Sequence, residues 1–220
     1  AFLDKIADRL LNKFPVSMEG VAVVLPSKRA VVFLKHYLSQ KIKQPIFLPD
    51  FYSIEEFTEK LSGLTVLDNI SLQFKLYQSY LALPPKRIDS FDNFLSWSNV
   101  LLHDFNEIDR NLVDAESIYT NLKNVKVLED WSVDNWSLAE DNLSNMQLDY
   151  ISFFEGMLGW YTHFNDSLLE EQLAYQGMAY NFAAKNISTA QVKWNKVWFV
   201  GLNALTKSEQ EIIEYLKKED

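Results

Sequence analysis

The apolar positions at the start of the chain recur at helical spacing. Phe2, Leu3, Ile6, Leu10 and Phe14 fall on one stripe and Pro15 stands just beyond, which predicts an amphipathic first helix. The pattern then changes. Val21–Leu25 is an unbroken apolar run with no polar alternation, as expected of a strand covered on both faces in a parallel sheet between helices. Pro26 and Ser27 interrupt it. Phe33, Leu34, Tyr37 and Leu38 then line one face of a second helix, with Lys28, Arg29, Lys35 and Lys41 largely off that face. Pro45–Tyr52 reads as extended, and Pro45 and Pro49 demote it to an edge or irregular strand.

Helical patterning dominates the middle of the chain. Ser53 and Glu56 have capping-box spacing, so a helix starts at Ile54 and ends near Ser62–Gly63. Asp68 caps the next helix, and Pro84–Pro85 stops it. A long helix fits Phe91, Phe94, Leu95, Ser98, Leu101, Leu102, Phe105 and Ile108, and a shorter one fits Ala115–Leu122. Residues 125–142 hold Trp131 and Trp136 among Asp, Asn and Ser and read as a loop with at most a short helix. Two more helices are predicted over 143–164 and 166–185. Lys196–Leu202 returns to a strand punctuated by Gly201. Thr206 and Glu209 then form a second capping pair ahead of a final helix carrying Ile212, Ile213 and Leu216.

This order predicts an α/β protein. Its two ends, residues 1–66 and 191–220, form one layered domain, and residues 67–190 form a large all-helical insertion subdomain.

Composition sharpens the picture. Among 220 residues, six Gly and six Pro are too few for a turn-dense β-sandwich, and a 48% hydrophobic share is enough for a sizeable core. The absence of Cys excludes a disulfide scaffold and any thiolate metal site. His36, His103 and His163 are scattered, which argues against a His-built metal centre. No apolar run is long enough to span a bilayer, and no leader precedes the first helix, so a cytoplasmic protein is expected.

The net charge of −9 is unevenly spread. Residues 1–50 carry eight Lys/Arg against four Asp/Glu, whereas 51–190 carry eight against twenty-one. So acidic a chain is a poor candidate for tight, free-standing binding to duplex DNA, and only its first fifty residues have a sign suited to phosphate.

Several chemistries are excluded by pattern. None of the six Gly is followed by Lys, so there is no G-x-x-x-x-G-K-[ST] phosphate loop. The last strand, Phe199–Asn203, has no Asp-Glu pair to hold Mg²⁺. Asp50, Glu55, Glu56, Glu59 and Lys60 do not meet the D…(E-x-K) spacing of a two-metal nuclease, because Glu59 and Lys60 are adjacent. No G-x-S-x-G elbow marks a serine hydrolase. No catalytic residue, metal or cofactor is expected in this chain. The aromatic residues read as core, except Trp131 and Trp136, which suit an interface with another domain.

Three segments carry a family resemblance. They are Val21–Leu38 (VAVVLPSKRAVVFLKHYL), Pro45–Phe57 (PIFLPDFYSIEEF) and Val197–Gln210 (VWFVGLNALTKSEQ), with Phe91–Phe105 and Tyr175–Tyr180 in support. Together they resemble the N-terminal region of AddB-like subunits of bacterial helicase–nucleases, the PD-(D/E)XK nuclease family proteins. The resemblance implies a P-loop-helicase-like parallel sheet with an inserted helical subdomain, in a family many of whose members have lost the ATPase loop. It implies that this chain is an N-terminal part of a longer protein whose nuclease domain lies elsewhere.

The resemblance also implies a function. Ser27, Lys28 and Arg29 match the place where superfamily 1 helicases touch the single-strand backbone. A hydroxyl, two cations and a helix N-terminus can together receive a phosphate. The expected role is a non-catalytic scaffold in recombinational DNA repair, guiding single-stranded or end DNA and docking an AddA-like partner subunit. The alternative is a purely structural domain that contacts only other protein domains.

Overall fold

The computed structural model describes residues 1–85, 87–121 and 145–218. The chain divides into two compact units. One comprises Ala1–Gly63 with Phe182–Asp220, and the other Leu64–Asn181.

The first unit is a mixed α/β layer. Its elements are α1 (Phe2–Lys13), β1 (Val21–Leu25), α2 (Lys28–Lys41), β2 (Asp50–Ser53), α3 (Ile54–Ser62), β5 (Lys196–Phe199) and α9 (Lys207–Lys218). The three strands form a parallel sheet in the order β2-β1-β5. All five residues of β1 are buried, as its unbroken apolar run requires of a strand sandwiched on both faces. Val21, Val23 and Leu25 face a core built with Ile6 and Leu10 of α1 and Val31, Leu34 and Leu38 of α2. On the other face, Tyr52 and Phe199 flank Val24 in register, and their rings gather with Phe57 and Trp194. The Pro45–Tyr52 segment is irregular at first, touching Ser17 through a single bridge at Phe47, and becomes a regular edge strand only from Asp50.

The second unit contains β3 (Thr65–Val66), α4 (Asn69–Ala82), α5 (Phe91–Arg110), a helical stretch over residues 115–121 (α6), α7 (Asn145–Glu170) and β4 (Leu173–Ala174). The helix α8 (Gln176–Lys185) begins in this unit and crosses its boundary. Its core is aromatic: Tyr80, Phe94, Phe105, Trp160, Phe164 and Tyr175 are almost completely buried. The indole of Trp160 donates to the Leu83 carbonyl at 2.7 Å. Asp109, also buried, accepts hydrogen bonds from Tyr161 (2.7 Å), Asn181 (2.8 Å) and Tyr175.

Two expectations for the middle of the chain are corrected. The insertion is not all-helical, because β3 and β4 pair in parallel, Thr65 with Leu173 and Val66 with Ala174. Strands of two residues are too short to show alternation in the sequence. The predicted break between helices near residue 165 does not occur either. Helix α7 runs on to Glu170, and the interruption is β4. Asn165 is tolerated inside α7 because its side-chain amide lies 3.0 Å from the Tyr175 hydroxyl oxygen rather than competing for backbone. The predicted loop over 125–142, with Trp131 and Trp136, lies outside the described residues. Among the described residues, no helix is long and apolar enough to cross a membrane.

Candidate nucleic-acid interface

Because β1 and β2 are parallel, they end at the same edge of the sheet and release α2 and α3 there. Leu25 and Ser53 are register partners at that edge. The N-terminus of a helix concentrates unpaired N–H groups and partial positive charge.

Two of the unit's helices satisfy this charge themselves. At α3 the Ser53 N–H donates to Glu56 Oε2 at 3.1 Å, and the Glu56 N–H donates to Ser53 Oγ at 3.2 Å, a complete capping box. At α9 the Thr206 N–H donates to Glu209 Oε2 at 2.8 Å, and the Glu209 N–H returns to Thr206 Oγ1 at 3.4 Å. Both pairs are the ones that the sequence spacing predicts.

Helix α2 is different. Ser27 caps it through its hydroxyl, which accepts from the Ala30 N–H at 3.3 Å. Its first turn contains no acid and does contain Lys28 and Arg29. Ser27, Lys28 and Arg29 are all exposed. The structure therefore brings all three predicted residues to one end of the sheet, with Ser27 as the cap and both cations partnered. The Lys28 ammonium lies 3.2 Å from Glu56 Oε1, and the Arg29 guanidinium sits over the Phe33 ring at 5.7 Å. Partial burial works against the Glu56 carboxylate, but the Ser53 N–H and the Lys28 ammonium outweigh it and hold its pKa below the ordinary carboxylate value.

Only Pro26 and Ser27 separate β1 from α2. A loop that wraps a triphosphate needs a longer Gly-rich stretch, so this connection has no room for such a cradle. The end of β5 passes close by. Gly201 has φ +71°, and a Cβ there would lie 3.2 Å from the Phe2 ring and 4.0 Å from Pro26. A left-handed backbone in so narrow a space favours glycine.

The acidic residues around β2 do not converge. Asp50 opens the strand and accepts from the Trp194 indole at 2.7 Å, with Lys193 3.5 Å away. That indole hydrogen bond is the largest influence lowering the Asp50 pKa. Glu56 lies beyond the other end of β2, roughly 10 Å along the strand direction. The C-terminal edge thus presents a helix start with one hydroxyl and two cations, Lys28 paired with Glu56 and Arg29 over Phe33.

Two contributors escaped the sequence reading. The spacing of Arg29 and Phe33, four apart on a helix, was a usable signal. The Lys28–Glu56 pair was not, because it depends on the parallel register of β1 and β2. No protein-family model matches the chain, and no curated protein matches it either.

Proposed function

We propose that the chain is a non-catalytic, P-loop-helicase-like scaffold domain of a DNA-end-processing helicase–nuclease. In this reading it guides a single strand across Ser27, Lys28 and Arg29 and docks a partner subunit of the AddA type. One observation carries the reading. At the C-terminal edge of a parallel sheet, α3 is closed by its own carboxylate, whereas α2 presents two cations and a capped but acid-free N-terminus. Phosphate is the ligand that such an edge receives best. The two-residue link after β1 supports a role without ATP turnover.

The test is binding of a labelled single-stranded oligonucleotide to the full chain at low salt. Replacing Lys28 and Arg29 together by Ala should abolish most of the binding. It should also flatten the dependence of log affinity on log salt by about 1.4, since each phosphate contact contributes about 0.7 for a single strand. Unchanged binding would overturn the reading.

The second reading, a structural domain that contacts only protein, is favoured by the Lys28–Glu56 pair and the acidic net charge. It predicts no oligonucleotide binding by the parent chain at any salt concentration.

A further inference from the structure

Helix α2 carries four cations, Lys28, Arg29, Lys35 and Lys41, and no carboxylate. Lys41 is held by Asp4 at 2.8 Å and Asp8 at 2.7 Å, and Lys28 leans on Glu56. Among the described residues, Arg29 and Lys35 instead lie over aromatic rings, Arg29 over Phe33 and Lys35 over Phe51. The core stripe of the helix is Val31, Leu34 and Leu38. Arg29, Val32, Phe33 and His36 fall on the opposite side. Phe33 is 46% exposed and Val32 65% exposed, although neither is needed to close the core.

We propose that this outer face of α2 continues the strand path past the helix start, with Phe33 serving as a base-stacking platform held by the Arg29 guanidinium. The proposal rests on the strand-guiding reading above and adds to it the residue that reads the base rather than the phosphate. Sequence-tolerant single-strand binding combines a cationic track with aromatic faces on which bases stack, and an arginine plane extends such a face. Both ingredients sit here on one rigid helix. Lys28 and Phe33 are about 7.5 Å apart along the helix axis, near enough for one strand to meet both. On this face Arg29 supplies a charge for a phosphate and Phe33 a flat ring for a base.

The experiment is fluorescence anisotropy of a fluorescein-labelled oligothymidylate titrated with the full chain and its variants at low salt. Circular dichroism confirms that each variant folds. Phe33→Ala should weaken binding at least about five-fold, the lower end of what one base stack is worth. Phe33→Leu keeps apolar bulk but has no π-face, and it should weaken binding similarly. Phe33→Trp should retain binding and add indole quenching when the oligonucleotide binds. The salt slope should fall for Arg29→Ala and stay unchanged for Phe33→Ala. Parent-level binding by Phe33→Ala and Phe33→Leu, together with loss in Lys28→Ala plus Arg29→Ala, would overturn the stacking role and leave the strand-guiding reading standing. Parent-level binding by every variant, or no binding by the parent chain, would overturn both.

Discussion

Glu56 performs two tasks with one carboxylate. It closes the α3 capping box and holds the Lys28 ammonium. Its pKa is lowered in the fold, so it stabilises the protein at neutral pH, and that contribution is lost as the pH falls below its ordinary value of 4.5. Glu56→Gln should retain most of the cap, since an amide oxygen also accepts from Ser53. It should remove this part of the acid dependence, measured by urea unfolding across the acidic range. The same substitution releases Lys28, so oligonucleotide affinity at low salt should rise a few-fold. Ser53→Ala, which breaks the box from the other side, should cost about 1 kcal/mol.

Asp109 is the other consequential carboxylate. Burial first, and then its negative charge, push the Tyr161 and Tyr175 hydroxyls well above their ordinary range, so both remain donors. Asp109→Ala would strand these hydroxyls and the Asn181 amide without their acceptor. A loss of about 3 kcal/mol in unfolding free energy is expected. Sequence spacing identified the caps at Ser53, Asp68 and Thr206 because each acts within a few residues of itself. It gave no sign of Asp109, whose partners Tyr161, Tyr175 and Asn181 lie between 52 and 72 residues away.

Among the elements, those with a sustained period were readable from the sequence alone. The apolar stripe of α1, the unbroken run of β1 and the end of α4 ahead of Pro84–Pro85 all occur close to their expected positions. The failures have one physical origin, which is that tertiary pairing overrode local pattern. Strands β3 and β4 exist only because each pairs with the other, and α7 passes through Asn165 because Tyr175 satisfies that side chain. The junction of α5 and α8 is another such place. The Gly177 N–H donates to Asn106 Oδ1 at 2.6 Å, and a Cβ on Gly177 would sit 2.9 Å from the Asn106 Cα. Gly177→Ala should therefore destabilise the protein by about 1–3 kcal/mol despite the better helix propensity of Ala, as read from the midpoint of denaturant unfolding.

Across the whole molecule, the α/β class and the parallel sheet were legible because Val21–Leu25 is an unbroken apolar run of the kind a doubly covered strand demands, and a second apolar run returns near the other end. The site was legible as residue types but not as geometry. Lys28 and Arg29 announce a basic helix start, but the neighbouring α3, already closed by its own acid, comes into view only when β2 is laid beside β1. The charge distribution also belongs to this scale. A chain of net charge −9 that gathers its excess of cations in residues 1–50 should bind single strands weakly and lose that affinity steeply with added salt. Calorimetric titration with ATP and Mg²⁺ should give no heat of binding.

The turn from Leu25 to Lys28 spans only Pro26 and Ser27. Converting this edge into a nucleotide pocket is consequently beyond the reach of point substitution. Even a glycine and a lysine placed at the best positions would find too little backbone to encircle a β-phosphate. Several residues would have to be inserted, and each would push the start of α2 away from the sheet that now anchors it.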